Sequence, residues 1–162
     1  IVSSGVRVSG GAKLTYSSSS KSVKVSKTGK ITIAGNFVGR AVITVKSSET
    51  SCYKAASKKF NVTVKPAAPS ITKAVNSAKS TIAVSWKGSK TCSGYAVQYS
   101  TNKSFKRGVK TIYITKNSTM KATLTKLAKG KTYYIRAASY KKNGNTKILS
   151  SWSKVKSVKI RK

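Results

Sequence analysis

Apolar side chains in this chain recur at every second position, in short runs that never lengthen into a helical period. "SVKVSKTGKITI" (22–33) puts Val23, Val25, Ile31 and Ile33 on one side of a Thr28-Gly29 turn. "RAVITVKSS" does the same with Ala41, Ile43 and Val45, and "KKFNVTVK" with Phe60, Val62 and Val64. A period of two belongs to strands with one buried face, and a glycine at the turn supplies a positive φ. Further along, "TIAVSW" (81–86), "GYAVQYS" (94–100), "VKTIYIT" (109–115), "KATLTKL" (121–127), "TYYIRAASY" (132–140) and "KVKSVKI" (154–160) repeat the pattern. Strands this short, separated by Ser, Gly and Lys turns, predict an all-β chain of immunoglobulin-like sandwiches.

The length, 162 residues, suits two small sandwiches in tandem. "KPAAPS" (65–70) holds both prolines of the chain. Proline donates no backbone hydrogen bond and stiffens an extended connector. The reading is therefore two domains, 1–65 and 70–162, joined by a linker at 66–69.

Charge narrows the function. There are 34 Lys and Arg against one acid, Glu49, and no His, a formal +33. A lone carboxylate cannot supply the acid pair of a glycosidase. Without His there is no Ser-His-Asp triad. Calcium requires several acidic or carbonyl oxygens, and Cys52, Cys92 and Glu49 lack zinc spacing. Ser and Lys are so numerous that chance proximity is expected, and no dyad is read from them. The expectation is a non-enzymatic protein without cofactor or metal. No run of about 18 apolar residues occurs, so no membrane insertion is expected. The start, "IVSSGVRVSGG", lacks Met and a signal-peptide pattern and reads as a mature fragment or as part of a longer chain.

At several positions the chain resembles known families. Residues 69–162 resemble a fibronectin type III domain through Trp86, the Tyr-x-Val-x-Tyr of 95–99, "LAKGKTYYIRA" and "SSWSKVKSV". That resemblance implies a seven-stranded sandwich, with Trp86 in the core, Leu127 and Tyr133 forming a tyrosine corner, and Gly130 at a turn. Residues 1–65 resemble bacterial immunoglobulin-like repeats through "LTYSSSSKSVKVSKTGKITI", "GRAVITV" and "YKAASKKFNVTV". Tandem pairs of this kind resemble surface proteins of Gram-positive gut bacteria, which implies an extracellular or wall-associated stalk or adhesion module. A virion or filament subunit, and an accessory domain of a wall hydrolase, are the alternatives.

Ordinary surfaces mix signs, and one-sided charge strains the compact state by self-repulsion. A polyanion would relieve it, so the expected partners are teichoic acid, acidic glycans and, without sequence preference, extracellular DNA. Neighbouring subunits are expected only if the chain assembles. The residues assigned to polyanion binding are Lys141, Lys142, Lys147, Lys154 and Lys156, with Arg136 and Trp152. Arg136 and Trp152 are expected to stack outward on the last two neighbouring strands, in the manner of a Trp-Ser ladder. Asn61, Asn102 and Asn117 begin N-x-S/T sequons. Cys52 and Cys92, one per domain, are expected to be thiols in the monomer, or to bridge to neighbouring chains if it assembles.

Overall fold

The computed structural model describes residues 2–3 and 11–161; residues 1 and 4–10, which the sequence assigns to the first domain, and residue 162 lie outside the described residues. Every regular element among them is a strand. The chain divides into two compact units, Ile1–Val64 and Lys65–Lys162. Residues 66–69, read from the sequence as a linker, fall within the second unit.

The first unit contains β1 (Val2–Ser3), β2 (Leu14–Ser18), β3 (Val23–Val25), β4 (Lys30–Ile33), β5 (Gly39–Ser47) and β6 (Ala56–Val64). They form two antiparallel sheets in the orders β1-β4-β3 and β2-β5-β6. The alternating residues converge as their period requires: Val23, Ile31, Ala41, Ile43 and Val45 are buried, with Leu14, Tyr16, Phe60 and Val62 packed against them. The β3–β4 turn is held by Ser26, whose hydroxyl accepts from the amides of Thr28 and Lys30 at 3.2 and 3.1 Å. Gly29 takes the φ of 78° that closes this turn.

The second unit contains β7 (Ser70–Ala78), β8 (Thr81–Lys87), β9 (Gly94–Ser100), β10 (Lys110–Ile114), β11 (Lys121–Leu124), β12 (Thr132–Asn143), β13 (Thr146–Leu149) and β14 (Lys156–Lys159). One sheet has the order β11-β8-β7; the other is β10-β9-β12, with β13 and β14 both paired to β12. Side chains of both sheets meet in one core: Ile82, Val84 and Trp86 from β8, Tyr95, Val97 and Tyr99 from β9, and Ile135 and Ala137 from β12. Two of these strands escape the alternation rule. β7 is shifted in register between Ile71 and Lys73 and again between Asn76 and Ala78, which breaks its period. β13 follows a two-residue loop in which Gly144, φ 56°, holds the first position, as a type II′ turn requires.

The tyrosine corner is present. Tyr133 Oη accepts from the Ala128 amide at 3.0 Å, Leu127 is buried, and Gly130 adopts φ 79°. This pins the β11–β12 crossing to the sheet it leaves.

Candidate functional site

β9 and β12 lie side by side with Gln98 opposite Arg136 and Ala96 opposite Ala138. Tyr95, Val97, Tyr99, Ile135 and Ala137 use the core face, so strand alternation turns Gln98 and Arg136 to the other face. There the Arg136 Nε–H and Nη2–H both donate to Gln98 Oε1, at 3.0 and 2.8 Å. Gln98 Nε2 donates onward to Thr111 Oγ1 at 3.2 Å. The guanidinium carbon sits 4.1 Å from the Phe105 ring centre and 4.5 Å from that of Trp152. Burial lowers the proton affinity of this guanidinium, which arginine's very high intrinsic pKa absorbs without loss of charge. With both rings on it and two of its N–H groups on Gln98, Arg136 is held against the wall of the sheet.

The expected stack therefore exists, with one correction: Trp152 is not on a strand. It lies in the segment between β13 and β14, where the ladder is interrupted. Along that segment serine hydroxyls stand in for carbonyls. Ser150 N donates to Ser139 O at 2.9 Å, while Ser139 N donates to Ser150 Oγ at 3.0 Å. Ser153 N donates to Ala137 O at 2.7 Å, while Ala137 N donates to Ser153 Oγ at 3.0 Å. Lys156 then pairs with Ile135. From Ser150 to Lys156 the chain takes six steps against the four that β12 takes from Ser139 to Ile135. The surplus chain lifts Trp152 onto Arg136 and opens a groove of about 450 Å³ towards the start of β7, with Pro69, Ile71, Trp152, Lys154, Val155 and Lys156 among its lining residues. Pro69 and Ile71 are buried, Val155 is 42% exposed, and both lysines are exposed. Nearby, the buried Ser139 hydroxyl donates to Ala67 O, which ties residues 66–69 to β12.

The remaining assigned lysines belong to a different place. Lys142 and Lys147 face each other across the β12–β13 hairpin, and Lys141 faces Ile148. Like charges directly opposite repel, and Lys147 turns away onto aromatic rings: its Nζ lies 4.8 Å from the Tyr113 ring centre and 5.8 Å from that of Tyr140. Tyr140 is fully buried, its ring 6.0 Å from Tyr113. Gly94 makes room for it, since any side chain there would collide with the Tyr140 ring end and with Ile114 O. Lys147 and Lys156 are paired to β12 at positions 142 and 135, seven residues apart, hence roughly 23 Å along the strand. So the seven assigned residues form a Trp152–Arg136 stack, a Lys154–Lys156 groove and a Lys141–Lys142–Lys147 hairpin tip. All share one flank of β12. Lys156 shares the core-side parity of Val158 and Ile160, contrary to the simple alternation, and reaches solvent because β14 lies at the margin of the sheet. Phe105, Gln98, Tyr113 and Tyr140 were not singled out from the sequence. The outward parity of Gln98 and Tyr140 was readable, but Phe105 comes from a turn, at φ 55°, and its position depends on the tertiary fold.

Both cysteines are free: Cys52 is exposed, and Cys92 is buried with its thiol donating to Ser89 O at 3.0 Å. Burial, with Cys92 beside it, pushes the Tyr95 phenol up to about 12. Burial likewise raises Tyr140. Among the described residues there is no cluster of His, Cys, Asp and Glu that could hold a metal, and no helix long and apolar enough to cross a membrane.

The comparisons with known proteins agree with this architecture. The family model of the fibronectin type III domain matches residues 67–156. Domains of this family are commonly non-catalytic scaffold modules of extracellular proteins. Among solved structures, the chain is similar to the chicken CNTN1 FN1–FN3 domains, with a TM-score of 0.52 and 15% identity, over 82% of this chain and 45% of that one. It is also similar to a solved myokine structure, with a TM-score of 0.48 and 20% identity, over 60% of this chain and all of that one. No curated protein matches it. With the match covering more than half of its residues, and with the buried Trp86, the tyrosine corner and a three-stranded sheet packed on a five-stranded one in place, the protein belongs to the fibronectin type III domain family.

Proposed function

We propose that this chain is a non-enzymatic extracellular module, a stalk or adhesion element, that holds anionic cell-wall or host polymers on its basic surfaces. We further propose that the first unit is a bacterial immunoglobulin-like repeat and that the chain comes from a Gram-positive surface protein. The observation that carries the reading is the charge: 34 basic residues against one acid, with no acid at all from position 50 onward. Most of these basic side chains are lysines, hydrated point charges suited to diffuse attraction rather than to geometric readout of one ligand. Lys142, Lys147, Lys154 and Lys156 are exposed along the same flank of β12. Arg136 and Trp152 support that flank by stacking, and the lysines supply its mobile charge. Teichoic acid, acidic glycans and DNA share the property that matters here, closely spaced anionic groups.

The experiment is fluorescence anisotropy with labelled duplex DNA of two unrelated sequences, and with teichoic acid, across salt. Binding releases condensed counterions, so affinity should fall several-fold or more between about 50 and 200 mM salt, equally for both sequences. Absence of binding at low salt, or binding indifferent to salt, would remove the proposal.

A further inference from the structure

The groove beside Trp152 differs from the rest of the basic surface. Lys58 and Lys147, by contrast, lie over aromatic rings. Here two exposed lysines, Lys154 and Lys156, flank an opening of about 450 Å³ whose walls include Pro69, Ile71, Trp152 and the partly exposed Val155. The wall on the β14 side is built by the Ser150–Ser153 substitution for the ladder, which fixes the backbone through Ser139 and Ala137. Trp152 is itself fixed on Arg136. On the facing side the Ser139 hydroxyl holds Ala67 O, next to the lining residues, so the groove is held in shape before any ligand arrives, which reduces the ordering cost of binding.

Resting on the polyanion reading above, we propose that this groove takes an extended acidic peptide in which acidic and apolar residues alternate. Lys154 and Lys156 are two residues apart, so their Cα atoms stand at most roughly 7 Å from each other. Successive same-side residues of an extended peptide repeat every 6.6 Å or so. Carboxylates at positions i and i+2 of such a peptide match the two ammonium groups, and the intervening apolar residues meet the open surface of Val155 and the half-buried Trp152. Charge complementarity favours this occupant, because the second unit contains no acid to satisfy these lysines. A flexible polyanion without apolar groups matches the lysines and leaves the apolar wall wet.

The test uses two capped hexapeptides of identical composition and charge, one alternating aspartate and valine, the other with three aspartates followed by three valines. Titrated by calorimetry at about physiological salt, where diffuse attraction is screened beyond about 8 Å, the alternating peptide should bind the full chain about tenfold more tightly than the block isomer. The double substitution Lys154→Gln/Lys156→Gln should abolish that preference, whereas Lys79→Gln/Lys129→Gln, which removes the same charge from exposed positions elsewhere, should leave it intact. Equal binding of the two isomers overturns the proposal, as does a preference that survives the groove substitutions. An oligomer of uronic acids of equal charge that competes more strongly than the alternating peptide, with sensitivity to the groove substitutions, also overturns it in favour of a glycan site. Duplex DNA is measured on the same variants. DNA binding that holds while the peptide preference is missing refutes only the groove assignment, whereas loss of all DNA binding at low salt in the wild-type chain refutes the polyanion reading itself.

Discussion

Arg136 carries more interactions than any other charged side chain on the outer face of its sheet. Two of its N–H groups reach Gln98, and two aromatic rings cover it. Replacing it by Met keeps most of the volume and removes the fork, so the cost is the charged hydrogen bonds and the stacking. We expect Arg136→Met to destabilise by about 2 kcal/mol in urea unfolding. Trp152→Ala should cost about 1–2 kcal/mol, with a coupling of about 0.5–1 kcal/mol between the two in a double-mutant cycle. Additive effects would show that the stack is only a contact. Tyr95 yields a titration signature. Its phenol is buried, donates to Asn117 O at 3.0 Å and has its pKa pushed up to about 12. The folded value lies above the ordinary tyrosine value of 10.0, so the unfolded chain releases this proton first. The neutral phenol therefore contributes stability that is complete below pH 10 and is lost as pH rises towards 12. In a phenolate absorbance titration of the folded protein, Tyr95→Phe should remove a late-ionising component and leave the early ones unchanged. Loss of an early component instead would contradict the burial.

At the scale of elements, glycines decide where strands approach each other closely. Gly94 begins β9 beneath the Tyr140 ring, with Ile114 O across the ladder, and an added methyl would strike both. Backbone and a buried ring cannot retreat cheaply, so Gly94→Ala should destabilise by about 2–3 kcal/mol and lower Tm by several degrees. Gly144→Ala, where space is open but φ is 56°, should cost only about 1 kcal/mol. Calorimetric melting of the two variants checks that order, and a reversed order would mean that β9 and β12 stand farther apart than described. The β13 hairpin and the Ser150–Ser153 segment show why the last part of the chain was hard to read. "KVKSVKI" has a period of two, yet only Lys156–Lys159 forms a strand, because two serine hydroxyls satisfy the β12 edge upstream of it. Hydroxyl-for-carbonyl substitution leaves no trace in an apolar pattern.

For the molecule as a whole, one-sided charge should govern stability as well as binding. At about 10 mM salt the Debye length is roughly 30 Å and lysines across a unit repel one another; at about 150 mM it is roughly 8 Å and they do not. We therefore expect Tm to rise by several degrees over that interval, and to rise further with a polyanion that binds only the folded state. Differential scanning fluorimetry with added salt measures this. A flat response would mean that the lysines are far enough apart for water alone to screen them, and the strain inferred from composition would have no physical basis.

Much of this protein is set by its sequence alone. The period of two decides that Val23, Ile43, Val84, Val97 and Ile135 face a core, since a one-residue slip would turn every one of them to water. The near absence of acids and the absence of His leave no side chains for a glycosidase acid pair or a Ser-His-Asp triad. The roles of Trp86, Leu127 and Tyr133 follow from the resemblance to fibronectin type III domains, and the structure places Trp86 and Leu127 in the core and Tyr133 in the corner. The site is different. Arg136 and Trp152 are readable as outward-facing partners, but Phe105, which completes the stack, lies 31 positions before Arg136 and arrives by a turn. The groove exists because six steps of one segment are matched to four of another and β7 passes beside them. Both depend on contacts between residues distant in the chain, and local periodicity carries no information about which distant segments meet. The tertiary structure alone divided the seven assigned residues into a stack, a groove and a hairpin tip.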